Sequence, residues 1–206
     1  MKGFSIVGIG TDVGKTVVSA ILAEALKASY FKPIQAGDLD NSDRIKIRKW
    51  CSDTVVDFPE AFRLSEPMAP HGAAKLDELE LSVSKINFPK TSKPLILEGA
   101  GGLLVPLNEK ETFADVYKKA GLPAIVVSRH YLGSINHTFL TFEILKKYEI
   151  DIAGIIYVGE ENKVTESIIE SFYAPNVIGR VVLPEDVNSE FIKNEANKFS
   201  HLIYEL

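Results

Sequence analysis

The run Phe4-Ser5-Ile6-Val7-Gly8-Ile9-Gly10-Thr11-Asp12-Val13-Gly14-Lys15-Thr16 constrains this chain more than any other stretch. Phe4 to Val7 reads as a short strand. Val17, Val18, Ile21, Leu22, Ala25 and Leu26 then recur at the spacing of one helix face. A strand, a glycine-rich loop and a helix in that order make a phosphate cradle. Without side chains, the glycines let successive backbone N–H groups converge on anionic oxygens, and the helix N-terminus adds partial positive charge. In such a loop Lys15 reaches the terminal phosphates and the Thr16 hydroxyl faces Mg²⁺. The spacing is a variant of G-x-x-x-x-G-K-[ST]: Ile9 stands where the first glycine is expected, with Gly8 one residue too early and Gly10 one too late.

The rest of the chain repeats the opening alternation. Strand candidates at Tyr30 to Lys32, Pro94 to Leu97, Pro123 to Val127, Ile152 to Val158 and Asn176 to Val182 are mostly continuous apolar runs, the signature of strands covered on both faces. Helical spacing falls between them at Asp43 to Trp50, Phe113 to Ala120, Ser134 to Tyr148, Val164 to Phe172 and Val187 to the C-terminus. The predicted fold class is therefore α/β, a doubly wound, mostly parallel sheet with helices on both faces. Cys51 to Asn87, broken by Pro59, Pro67 and Pro70, is expected to be a connection over the sheet with a helix near Leu76 to Ile86. No repeat or Gly/Ser linker interrupts the pattern, so the 206 residues, 46% of them hydrophobic, are expected to form one domain spanning 1–206.

Composition narrows the function classes. A net charge of −5, with the 23 Lys and Arg dispersed, gives no footprint for nucleic acid. No apolar run approaches the roughly 20 residues that span a bilayer. Met1-Lys2-Gly3 leads into a strand rather than a signal peptide, and the lone Cys51 forms no intrachain disulfide, so the cytoplasm is the expected compartment.

Chemistry at a phosphate loop needs hard oxygen ligands for Mg²⁺ and cations for the developing charge. Glu98 closes the run Pro94-Leu95-Ile96-Leu97 before Gly99-Ala100-Gly101-Gly102, which places it at the carboxyl end of a strand, where doubly wound sheets bind ligands. Asp43 begins a helix and would by itself read as a first-turn carboxylate; beside a phosphate loop it becomes the second metal candidate. Pro33 biases Lys32 towards an extended conformation at a strand end, where with Lys15 it would make a two-lysine clamp. Gly133-Ser134-Ile135-Asn136 opens a helix, and its free N–H groups suit a carboxylate.

Seven segments in order resemble the dethiobiotin synthetase family over roughly residues 4 to 160. They are GTDVGKT from Gly10, KPIQAG from Lys32, NSD from Asn41, APHGAA from Ala69, EGAGGLLVPL from Glu98, FADV from Phe113 and LGSINHTFLT from Leu132. The resemblance implies ATP- and Mg²⁺-dependent closure of a cyclic urea from 7,8-diaminopelargonic acid and CO₂, with ADP and phosphate released. It implies that Thr16, Asp43 and Glu98 hold the metal. Lys15, Lys32 and Thr11 act on the reacting groups, Thr11 and Lys32 also meeting the diamine. Asp12, Val13, Gly14, Lys15 and Thr16 would bind the nucleotide phosphates, with Val158 and Pro184 at its base. Gly133, Ser134, Ile135 and Asn136 would hold the substrate tail from the second subunit of a homodimer. His71 and His137 receive no acid–base role.

Four features depart from the family's usual pattern: Asp12 for Glu, Ala36 for Ser or Thr, Val158 for an adenine-reading Asn, and Gly179 to Pro184, which is longer than the usual G-x-I-P turn. Two other readings share the loop. One is a partition-type or regulatory nucleotide switch, which would carry an extra lysine near the loop start, where no basic residue stands. The other is an amidoligase-type relative, which would need a glutaminase domain for which 206 residues leave no room; a catalytically silent relative also stays open.

Overall fold

The computed structural model describes residues 2–201. Its centre is β1 (Gly3–Gly8), six consecutive buried residues paired in parallel with β6 (Leu95–Glu98) on one side and β7 (Ala124–Arg129) on the other. Beyond β6 lie β2 (Ser29–Phe31) and β4 (Val56–Asp57); beyond β7 lie β8 (Ile152–Val158) and β9 (Val177–Val181). The order β4-β2-β6-β1-β7-β8-β9 is parallel at every pairing. This is the α/β arrangement of P-loop nucleotide-binding proteins. A strand buried on both faces has no polar side to alternate with, which is why the strands read as unbroken apolar runs.

The helices follow the predicted periodicities: α1 (Lys15–Leu26), α2 (Asp43–Trp50), α4 (Phe113–Ala120), α5 (Ser134–Lys147), α6 (Lys163–Tyr173) and α7 (Ser189–Lys198). The last helix was expected to run from Val187 to the C-terminus; it ends at Lys198, with Phe199 as its C-cap, and residues 202–206 lie outside the described stretch.

Two expectations are corrected. The helix near Leu76 to Ile86 is instead α3 (Pro70–Leu76) followed by a single 3₁₀ turn at Val83–Lys85. Pro70 occupies the first helical position, where its missing N–H costs nothing. The chain then leaves the helix, because the Asp77 carboxylate accepts from Ser65 N at 2.8 Å and Glu78 turns left-handed at φ 54°. The strand pair β3 (Ile34–Ala36) and β5 (Phe62–Leu64) was not foreseen; it forms a separate parallel two-stranded sheet beside the main one.

Strand order reverses at β1, with successive connections placing β6 to one side and β7 to the other. The crevice above its carboxyl end is where an open α/β sheet binds ligands. A cleft of about 800 Å³ opens there.

Candidate active site

The floor of the cleft is the loop between β1 and α1. Gly14 precedes α1 in the left-handed region at φ 94°, which turns the chain into the helix. At Gly8 a Cβ would stand 2.7 Å from Lys15 Cδ and 2.8 Å from Val13 Cγ2. The loop therefore curls back over its own strand in a way that only glycine permits. Val13 is buried beneath it, while Thr11 and Asp12 are exposed along its rim. Asp12 holds φ 55°, and Arg129 at the end of β7 donates to its carbonyl at 2.9 Å.

Lys15 begins α1 and is 8% exposed, its Nζ donating to Gly10 O at 2.7 Å. Burial pulls its pKa down to about 8, with the nearby Lys32 ammonium adding to the effect against the pull of Glu98. Lys32 is equally buried but sits among carboxylates. It is ion-paired with Asp43 and lies 3.8 Å from Glu98 Oε1. Burial disfavours its charge, yet Glu98 and Asp43 together outweigh that and raise its pKa. Two buried lysines in one cleft thus differ in how firmly they hold a proton.

Glu98, fully buried at the end of β6, accepts from Thr16 Oγ1 on Oε1 and from Tyr30 OH on Oε2, each at 2.9 Å. Burial raises its pKa and Asp43 adds to the rise, while Lys32 opposes it. For Asp43 burial also works against charge, but the ion pair with Lys32 wins and its pKa is lowered. Thr16, Asp43 and Glu98 therefore surround one point with a hydroxyl and two carboxylates. Hard oxygens in that number suit Mg²⁺, which takes one or two carboxylates and completes its shell with water and substrate phosphates. Among the described residues no cluster of three or more His, Cys, Asp or Glu is able to hold a metal by itself. The donor set fits an ion brought with a nucleotide.

The structure thus gathers Thr11, Asp12, Gly14, Lys15, Thr16, Lys32, Asp43 and Glu98 around one cleft. Three segments lie elsewhere. Val158 is fully buried at the end of β8, its methyls 3.3 and 3.5 Å from where a Cβ on Gly14 would stand, so it packs under the loop. Exposed Pro184 is outside the cleft lining, which its neighbour Leu183 joins. Gly133, Ser134, Ile135 and Asn136 start α5 away from the cleft, with Leu132 wholly exposed before them. Sequence reasoning missed Tyr30, whose phenol braces Glu98. It also missed Lys46 and Trp50 on the cleft face of α2. The α2 pair was findable, since three- and four-residue steps from Asp43 reach both.

Comparison with known proteins agrees with this geometry. An AAA domain family model matches residues 2–190. A protein of Christiangramia forsetii named ATP-dependent dethiobiotin synthetase BioD is 50% identical over 206 residues, covering 100% of this chain and 99% of the relative. One of the same name from Brucella ovis is 39% identical over 198 residues, covering 96% and 93%. Among solved structures, a ParA family ATPase from Chlorobium tepidum superposes with a TM-score of 0.58 over 99% of this chain and 97% of its own, at 13% identity, a likeness of fold alone. With the ordered motifs gathered at one cleft and full-length relatives at this identity, the chain belongs to the family of ATP-dependent dethiobiotin synthetases.

Proposed function

We propose that this protein, as a single domain, joins CO₂ to 7,8-diaminopelargonate and closes the cyclic urea of dethiobiotin at the expense of ATP. The observation that carries the reading is the convergence of Lys15, Lys32, Thr16, Asp43 and Glu98 on a single cleft above the phosphate loop.

One substrate amine adds to CO₂ and releases a proton, giving a carbamate. A carbamate oxygen attacks the γ-phosphorus and ADP leaves. The second amine then attacks the carbamoyl carbon and phosphate departs, which closes the ring. Each step brings anions together, so positioning and charge neutralisation are the main tasks. Lys15 leaves Gly10 O to meet the transferring phosphoryl group, whose charge restores the proton affinity that burial removes. Lys32, kept charged by Asp43 and Glu98, stabilises the carbamate and the anhydride. Thr16, Asp43 and Glu98 would hold Mg²⁺, which when bound would supply neutralisation of phosphate charge. Thr11, on the exposed rim, faces the meeting point of diamine and phosphate. Backbone N–H groups from Asp12 to Thr16 cradle the phosphates.

The substrate carboxylate is held by the α5 start, Gly133 to Asn136, of a second copy in a homodimer. Support for an interface there comes from the exposed apolar side chains of Leu132 and Leu140 flanking the segment. The reading is tested by measuring ADP, phosphate and dethiobiotin with diamine, bicarbonate and Mg²⁺ each omitted in turn. The three products are expected in equal amounts from the complete mixture alone. ADP release that ignores the diamine would overturn it in favour of a nucleotide switch.

A further inference from the structure

The lining of the cleft is not uniformly charged. Helix α2 turns Asp43, Lys46 and Trp50 towards it, at positions i, i+3 and i+7 of a single helix face. The helix lies along α1. Its first residue sits at the Lys32 and Thr16 end of the site, and at its other end Cys51 Sγ donates to Ala20 O at 3.5 Å. From Asp43 to Trp50 the helix therefore advances about 10 Å, away from the reacting groups. That is enough to pass a triphosphate and arrive at its nucleoside.

Apolar side chains line the cleft as well. Val17 follows Thr16 on α1, and Leu183 follows β9 with Cδ1 3.7 Å from where a Cβ on Gly14 would stand; both line the cleft with Trp50. Trp50 is half-buried, packing on the core while it borders the cleft. None of these three side chains can act on phosphate or carbamate. Val158, at the position where the family often has an adenine-reading Asn, is withdrawn under the loop and offers only apolar contact.

We propose that Trp50 is a positioning residue for the nucleotide, holding its base by stacking between the indole and the Val17–Leu183 wall. The proposal rests on the ATP-dependent reading above. Stacking on an aromatic side chain needs no hydrogen-bond donor, since every base presents a π face. It would replace the grip that an Asn at position 158 could have supplied.

Trp50 is the sole tryptophan of the chain, so it reports on its own surroundings. Wild-type protein is titrated with Mg-ADP while heat of binding, tryptophan emission and quenching by acrylamide are followed together. The expected result is an emission change that saturates with the calorimetric isotherm and a severalfold loss of acrylamide access. Trp50→Leu should raise the KM for ATP about tenfold, with kcat and the KM for diamine held, and Trp50→Phe should recover most of the loss. Heat of binding without any change in emission or quencher access overturns the proposal while leaving the ATP-dependent reading intact, as does an unchanged KM in a folded Trp50→Leu. Absence of nucleotide binding by calorimetry overturns both.

Discussion

Lys15 and Lys32 bear the same ammonium at nearly the same burial, and their neighbours give them opposite energetics. Lys32 is enclosed by Asp43 and Glu98, so Lys32→Met leaves two buried carboxylates facing each other and should cost roughly 3 kcal/mol of stability. Lys15 has a carbonyl as its hydrogen-bond partner, and Lys15→Met, which keeps the packing stem, should leave the melting temperature unchanged or raise it. Both variants should lose kcat by orders of magnitude. Paired melting curves and turnover assays check the contrast; equal destabilisation would contradict the assigned partners. The lowered pKa of Lys15 has a signed consequence. Between about pH 8 and its ordinary 10.5 the unfolded chain holds the proton that the folded one has lost, so this group makes stability rise with pH across that window. Nucleotide phosphates raise the folded pKa again, so binding near pH 8 and above should take up a proton and weaken as pH increases. Calorimetry in buffers of different ionisation enthalpy measures that uptake, and Lys15→Met should abolish it. The sequence showed both lysines at the site through their positions after a strand and within a loop. It could not show their difference, which depends on where Asp43 and Glu98 fold.

Elements at the β7–β8–β9 edge are tied by Glu166 of α6. Its Oε1 accepts from Asn162 N at 2.9 Å and meets His130 Nε2 at 2.8 Å, while Oε2 accepts from Arg180 Nη2 at 2.6 Å. Burial opposes its charge, but the Arg180, Asn162 and His130 contacts prevail and hold the carboxyl at about 2. Its stabilising contribution is thus complete above pH 4.5, the ordinary value, and disappears as pH falls towards 2. Glu166→Gln should lose about 2 kcal/mol at pH 7 and should flatten the acid limb of the stability profile between those two values. Denaturant melts across the range test this, an unchanged acid limb being the contrary result. Such ties are invisible in sequence because they join residues on separate elements. Helix existence was legible wherever apolar spacing met a cap or a breaker, as in α2, α4 and α5. The β3–β5 pair was not, since three-residue strands are too short to show a period. The segment after Leu76 misled because Leu76 and Leu79 sit at helical spacing yet are exposed.

For the whole molecule, the proposed homodimer makes each active site a composite of two chains. Lys15→Ala and Asn136→Ala subunits, each inactive alone, should regain part of the activity when mixed and reassociated, because some sites then draw intact parts from both chains. A fully active monomer at assay concentration would exclude the arrangement. One further consequence follows from the place of β1 at the middle of the sheet. Its partners are residues 95–98 and 124–127, so during synthesis β1 has no sheet neighbour until residues 95–98 have been made and lacks the second until 124–127 follow. The phosphate loop hangs on that strand. Until then the strand must wait as an unpaired apolar segment, a natural client for a chaperone. Nucleotide cannot be grasped until β6 and β7 close around it, which makes phosphate binding a late event in the life of each new chain.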